Sequence, residues 1–134
     1  MKKYIQPTVF IIDHNHSYLE ITKSCLQGLK IANIFAFSSF EETLGCKLLP
    51  DIIVLDNELG NGNKKGIDYF SKYKNTHPHT KFIFFSTNTS IELAVDLIKA
   101  GAFDYIVKSK IGLDRLTKRF SLLVELQAKE KLSK

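Results

Sequence analysis

The 134-residue sequence lacks any long run of apolar residues, and it has only two cysteines. Crossing a bilayer takes roughly 20 consecutive apolar residues, so the sequence predicts no transmembrane helix. Cys25 and Cys46 are not spaced like the ligands of a metal site, and no apolar segment of a secretory signal follows the basic first residues. We therefore expect a reduced, cytoplasmic setting in which both thiols are small buried groups.

The sequence also lacks a concentrated cluster of positive charge. Its formal net charge is +5, but the lysines are spread over many segments. Nucleic-acid-binding domains gather their basic residues on one face, so direct nucleic-acid binding is not expected. Internal repeats, low-complexity tracts and linkers are absent too. A hydrophobic fraction of 44% over this length favours one globular domain, residues 1–134.

Five short apolar runs alternate with amphipathic segments. Unbroken Ile, Val, Leu and Phe are typical of strands covered on both faces, and such runs occupy residues 8–12, 31–37, 51–56, 81–85 and 103–107. Helices are predicted at residues 18–29, after Ser38 or Ser39, at residues 67–75, from Thr89 or Ser90 to Lys99, and from about residue 112 to about residue 131. Five strand–helix repeats predict an α/β fold with a doubly wound, five-stranded parallel sheet.

Polar side chains stand at the carboxyl ends of four of these strands. Asp13 follows the first strand, Asp56 ends the third, Ser86 follows the fourth and Lys108 follows the fifth. In a flavodoxin-like sheet with strand order 2-1-3-4-5, strands 1 and 3 are neighbours at the edge where open α/β sheets bind ligands. We therefore expect Asp13 and Asp56 to share one pocket, flanked by Ser86 and Lys108.

These four groups together suit phosphoryl transfer. Two adjacent carboxylates repel each other, and Mg²⁺, which prefers oxygen ligands, relieves that repulsion. An aspartate is a known nucleophile toward phosphorus, while a lysine and a hydroxyl neutralise charge on phosphoryl oxygens. Taken alone, each residue has an ordinary explanation, because Asp often begins a turn, Ser often caps a helix and Lys is usually exposed. Their coincidence at one sheet edge favours the functional interpretation.

With these residues the chain resembles the receiver domains of two-component response regulators, from about residue 8 to about residue 126. The matching segments are residues 9–13, 51–56, 82–87 and 100–108, of which the last is the most specific. The resemblance implies that Asp56 accepts a phosphoryl group from a sensor histidine kinase or a phosphotransfer protein. It also implies that Mg²⁺ is held by Asp13, Asp56 and the backbone carbonyl of Glu58.

The resemblance also assigns roles in switching. Lys108 and Ser86 would act with Asp56 in the catalytic group, and Ser86 and Tyr105 would form the switch, in which the hydroxyl moves toward the phosphate and the ring turns inward. The face made by helix 4, strand 5 and helix 5 would then change its binding preference, with a homodimer through that face as one outcome. The implied protein is a signalling domain and not an enzyme, beyond self-phosphorylation from small donors and autodephosphorylation.

Three departures from the family pattern bear on this expectation. His14 stands where the family has a second acid, and since imidazole is a poor ligand for Mg²⁺, we expect weaker Mg²⁺ binding or a softer metal, unless His14 only lines the pocket. The loop after Asp56 has Gly60 in place of a proline and a late Gly66, so it should be more flexible. Ser109 replaces the proline after Lys108, so the bond between them is expected to be trans, which would move Lys108.

Two other functions stay open at this stage. A phosphorylation-independent pseudo-receiver would keep the fold as a protein-interaction module, and His14 and the altered loop favour it. A phosphotransfer hydrolase would usually need a further acid beside the nucleophile, and neither Asn57 nor Glu58 is an obvious one.

Overall fold

The computed structural model describes residues 5–60 and 65–132. Its strands are β1 Thr8–Ile12, β2 Asn33–Phe37, β3 Ile52–Leu55, β4 Lys81–Ser86 and β5 Asp104–Val107. Its α-helices are α1 His16–Gly28, α2 Gly66–Thr76, α3 Ile91–Lys99 and α4 Lys110–Leu132. All neighbouring strands are parallel, in the order β2-β1-β3-β4-β5. The predicted α/β fold and strand order are therefore confirmed.

The segment between β2 and β3 is a helix of a different type from the others. A short helix is predicted there, and the structure has a 3₁₀-helix, Glu41–Gly45, so the described residues contain four α-helices and one 3₁₀-helix. The Ser39 hydroxyl accepts a hydrogen bond from the Glu42 N–H, as a capping residue would. Cys46 is already extended, which leaves five residues, and tight i→i+3 turns suit so short a piece. The predicted third, fourth and fifth helices are thus α2, α3 and α4.

The core has two layers, one on each face of the sheet. Alternate strand residues, such as Val54 and Phe85, pack against α1 and α4, where Leu26 and Phe120 are fully buried. Their neighbours, such as Leu55 and Phe84, belong to the cluster on the other face with Phe70 of α2 and Leu97 of α3. Burial on both faces explains why β1, β3 and β4 are continuous apolar runs rather than alternating ones, whereas β2, at the edge of the sheet, has no buried residue.

The helices bury a narrower stripe than their apolar residues suggest. Leu19 and Leu26 of α1 are buried, but Ile21 is 47% exposed. In α3, Leu97 is buried and Val95 is 42% exposed. Two residues along a helix correspond to a turn of about 200°, so Ile21 and Val95 point away from the sheet that their neighbours face. Among the described residues, none of the helices has the length and apolar character needed to cross a membrane.

Gly66, the first residue of α2, positions the loop that follows β3. A Cβ atom at this position would lie 2.6 Å from the carbonyl oxygen of Asp56, a separation that only glycine permits. The Gly66 N–H donates to the carbonyl of Asn57, and the Ile67 N–H donates to the Asn57 side chain. The start of α2 is therefore fastened directly to the end of β3.

We predict that Phe70→Ala lowers the free energy of unfolding by about 3–5 kcal/mol, because it leaves a cavity in the packed core. Phe70 is 1% exposed, and its ring packs edge-on against those of Phe82 and Phe84, with distances between ring centres of 4.9 and 5.4 Å. Urea denaturation measures the loss. Leu44→Ala is the control, since Leu44 is 79% exposed and its loss should change stability by less than about 0.5 kcal/mol. Similar losses in both variants would contradict the assigned packing.

Candidate functional site

Asp13 and Asp56 lie side by side at the carboxyl end of the sheet. Asp13 directly follows β1 and Asp56 directly follows β3, and these neighbouring strands pair Ile12 with Leu55. The Asp56 N–H donates to the Ile12 carbonyl at 3.0 Å, so the hydrogen bonding between β1 and β3 continues to the residue that carries the carboxylate. The residues are 3% and 2% exposed. The shared pocket expected from the sequence is therefore present.

Lys108 joins the two carboxylates. Its Nζ lies 2.7 Å from Asp13 Oδ2 and 2.8 Å from Asp56 Oδ2, and all three side chains are almost completely buried. No peptide bond is cis within the part of the chain that the structure describes, so the Lys108–Ser109 bond is trans as expected. With this bond trans, Lys108 contacts both acids, and the displacement of Lys108 expected from a trans bond stays a prediction.

Burial has the largest effect on the pKa of the Asp13 carboxyl. Two carboxylates and one ammonium group leave the cluster one negative charge in excess. Burial raises the pKa of Asp13 above its ordinary value, and Asp56 adds to that rise, while hydrogen bonds from Lys108 and from the Asn15 N–H oppose it. Keeping Asp13 ionised therefore lowers the stability of the folded protein, as is common for ionisable groups in reactive sites.

Ser86, the last residue of β4, accepts a hydrogen bond at its carbonyl from the Lys108 N–H, and Tyr105 lies within the neighbouring strand β5. Ser86 is completely buried, and its Oγ accepts a hydrogen bond from the Asn88 N–H at 3.3 Å. The Tyr105 ring is buried beside Phe84, and its hydroxyl donates to the Asn88 carbonyl at 2.7 Å. Burial raises the pKa of Tyr105, so the phenol remains a hydrogen-bond donor at neutral pH. The proposed inward movement of the ring stays a prediction.

Glu58 contacts both Asp56, the candidate phosphoacceptor, and Asn88. Its N–H donates to Asp56 Oδ1 at 3.0 Å, and its carboxylate accepts a hydrogen bond from the Asn88 amide at 3.2 Å. The role predicted for the Glu58 carbonyl as a metal ligand stays a prediction. Residues 61–64 of the loop lie outside the described residues, so its expected flexibility is also untested.

The donor set at this edge is suited to a divalent cation. Asp13, His14 and Asp56 bring one ligand atom each within 4.8 Å of one another. Two carboxylates are the hard oxygen ligands that Mg²⁺ accepts, and waters complete its shell. His14, with a side chain 45% exposed, has its Nδ1 4.0 Å from Asp56 Oδ2 and adds a nitrogen donor that Mg²⁺ does not favour. The carboxylates therefore fit Mg²⁺, and the imidazole does not contribute to that fit.

Two residues of the site are not identified by the sequence reasoning. The Lys108 ammonium lies 4.7 Å from the centre of the Tyr18 ring, so α1 contributes an aromatic face to the cluster. Asn88 contacts Ser86, Tyr105 and Glu58. A tyrosine early in a helix carries no local signal of this role. Asn88 follows a predicted strand end at Ser86, and that position is the one signal that points to it.

Residues 9–121 match the family model described as response regulator receiver domain. The alginate biosynthesis transcriptional regulatory protein AlgB of Pseudomonas putida is 30% identical over 104 residues, which are 77% of this chain and 23% of AlgB. The luminescence regulatory protein LuxO of Vibrio campbellii is 33% identical over 60 residues, 45% of this chain and 13% of LuxO. The chain thus spans less than a quarter of the length of these relatives.

Solved structures show the same architecture. A signal receiver domain from Vibrio parahaemolyticus superposes with a TM-score of 0.78 at 26% identity, covering 97% of this chain and 98% of that one. The response regulator DrrB of Thermotoga maritima also reaches 0.78, at 21% identity, covering 92% of this chain and 54% of that one. At 21% identity, DrrB supports the fold alone.

We predict that Asp13→Asn raises the free energy of unfolding by about 1–2 kcal/mol at neutral pH, because it removes a buried charge while Lys108 keeps Asp56 as its partner. Since the folded pKa of Asp13 lies above its ordinary value of 3.8, the wild type loses stability as pH rises through the interval between the two. The gain in the variant should therefore vanish at acidic pH.

Urea denaturation from acidic to neutral pH, with a chelator present, tests this expectation. Asp114→Asn is the matched control, because that carboxylate is 66% exposed on α4 and should be almost neutral. A variant less stable than the wild type at neutral pH would show that the bond from Lys108 outweighs the burial of Asp13.

Proposed function

Since the chain belongs to the response regulator receiver domain family, we propose that it accepts a phosphoryl group on Asp56 from a sensor histidine kinase or a phosphotransfer protein. It is a signalling domain rather than a classical enzyme. We further propose that residues 1–134 act as a single receiver domain in the cytoplasm. The observation that carries the proposal is the contact of Lys108 Nζ with both Asp13 and Asp56 at the carboxyl end of the sheet.

The proposed reaction transfers a phosphoryl group from a donor to Asp56. A carboxylate oxygen of Asp56 forms a bond to phosphorus. The bond from phosphorus to the donor breaks, and its electron pair stays on the donor atom, a histidine nitrogen or the acetate oxygen of acetyl phosphate. Lys108 would neutralise charge on the phosphoryl oxygens, and the Ser86 hydroxyl would donate a hydrogen bond to one of them. Mg²⁺, held by Asp13, Asp56 and the Glu58 carbonyl, would supply further positive charge.

We propose that the result is read at the surface made by α3, β5 and α4. Apolar side chains are exposed there, including Ile91, Val95 and Ile98, one helical turn apart on α3, and Val107 and Ile111 on β5 and α4. Exposed apolar residues grouped in this way suit a protein partner or a second copy of the chain. Tyr105 lies in β5 with its ring buried beneath this surface. A movement of this ring that follows a change at Asp56 would therefore alter the surface directly.

A phosphate-independent interaction module is the second function that the sequence leaves open. Such a module would have no use for two buried carboxylates and a buried lysine, whose removal from water is costly. The intact cluster of Asp13, Asp56 and Lys108 therefore favours phosphoacceptance over this alternative.

We predict that the wild type, incubated with acetyl phosphate and Mg²⁺, gains the mass of one phosphoryl group in a form that hydroxylamine removes. Asp56→Asn should gain none, because an amide is not a nucleophile toward phosphorus, whereas the exposed Asp114→Asn should behave as the wild type. Intact-mass spectrometry measures the gain. Continued labelling of Asp56→Asn would move the acceptor elsewhere. A folded wild type that is labelled neither by acetyl phosphate nor by its kinase would support the interaction module.

We also predict that phosphorylation of Asp56 changes the environment of Tyr105. The ring is held by its hydrogen bond to the Asn88 carbonyl, and Asn88 also contacts Ser86 and Glu58, of which Glu58 donates its N–H to Asp56. NMR signals of the Tyr105 ring, compared with and without the phosphoryl group, report this change. Tyr69 of α2, whose hydroxyl donates to Glu41 and not to Asn88, serves as the reference tyrosine. Unchanged Tyr105 signals in a fully phosphorylated sample would exclude the switching role.

A further inference from the structure

The proposed phosphoryl transfer assigns no role to the imidazole of His14, although this ring lies beside Asp56. It follows Asp13 directly, and its Nδ1 lies 4.0 Å from Asp56 Oδ2. Asp13, His14 and Asp56 form a group whose ligand atoms all lie within 4.8 Å of one another. Oxygen and nitrogen donors together are the set that borderline transition metals bind well and Mg²⁺ binds poorly.

We propose that Asp13, His14 and Asp56 form a mixed oxygen–nitrogen site for a divalent transition-metal ion, Zn²⁺ or a close relative, and that His14 moves the preference of this site away from Mg²⁺. The inference deepens the proposed function, because it concerns the cation that would accompany Asp56. It can nevertheless be measured with no phosphoryl donor present.

The approach of His14 to Asp56 that ligation requires is small. Donor atoms on one tetrahedral Zn²⁺ lie about 3.4 Å apart, since each bond is about 2.0–2.1 Å long. His14 would therefore approach Asp56 by less than about 1 Å. Gly60, with a φ of +74°, lies against the ring, and a Cβ there would come within 2.6 Å of His14 Cδ2. A side chain at position 60 would thus occupy the place that the imidazole takes.

The two carboxylates are already oriented for a cation. The Asn15 N–H donates to Asp13 Oδ1, and the Glu58 N–H donates to Asp56 Oδ1. Such bonds hold ligating carboxylates in place, and each oxygen keeps a second lone pair. Asp13, Asp56 and Lys108 together carry a net charge of −1. A divalent cation would therefore be attracted to this cluster, and the net charge would become +1.

A comparison of metals in the wild type alone would not identify the ligand, because transition metals bind most oxygen sites more tightly than Mg²⁺. The informative quantity is the ratio of the Zn²⁺ affinity to the Mg²⁺ affinity, and its change when position 14 is substituted. His14→Asp converts the site to three carboxylates, and His14→Gln removes the nitrogen donor without adding charge.

The experiment is a calorimetric titration of each protein with Zn²⁺ and with Mg²⁺, all in a His77→Gln/His79→Gln background that removes a competing pair of histidines. Both substitutions at position 14 should lower the ratio of affinities at least about tenfold, the scale of effects at metal sites. His14→Asp should also tighten Mg²⁺ binding. His16→Gln, which removes another exposed histidine two residues away, should change neither affinity.

Co²⁺ provides a second, spectroscopic test. Its visible absorption bands should differ between the wild type and His14→Gln if the imidazole is a ligand. An unchanged ratio together with identical Co²⁺ spectra would overturn the proposal and leave His14 as a residue that only lines the pocket. Labelling of Asp56 by acetyl phosphate is measured separately, so loss of the His14 ligand and loss of the phosphoacceptor function are distinguishable.

Discussion

The site depends on one interaction, the placement of the Lys108 ammonium between the carboxylates of Asp13 and Asp56. Removing three charges from water costs several kcal/mol for each ion, and only close contacts between them offset that cost. The contacts of 2.7 and 2.8 Å therefore require three strand ends to stand in a fixed relation. Parallel pairing of β1 with β3, and of β3 with β5 through β4, supplies that relation. The sheet is the reason that the cluster can exist at all.

The same interaction leaves the site poised to respond to added negative charge. Its carboxylates are buried and share a single ammonium group, so a phosphoryl group on Asp56 would change the charge that Lys108 faces. Glu58 donates to Asp56 and accepts from Asn88, and Asn88 accepts from Tyr105. These contacts form a continuous chain from the site to β5. Contact alone does not establish coupling, which is the quantity that the Tyr105 signals measure.

The local elements were largely predictable because each is encoded by a short-range pattern. Apolar runs mark the five strands, and Ser90 caps α3 through the Leu93 N–H as expected. The short helix predicted after Ser38 or Ser39 is present, but it is a 3₁₀-helix, a distinction that its capping residues do not carry. An apolar residue on a helix does not show which side the sheet will cover, and Ile21 and Val95 are accordingly apolar but exposed.

The sequence by itself determined the alternation of strands and helices, and it placed Asp13, Asp56, Ser86 and Lys108 at strand ends, because periodicity and end positions are local properties of the chain. The tertiary structure decided which of these groups touch. Contact between Lys108 and Asp56 joins residues 52 positions apart, and the aromatic face of Tyr18 and the amide of Asn88 reach the site only through packing. Such contacts depend on long-range strand pairing and burial, which no local pattern records.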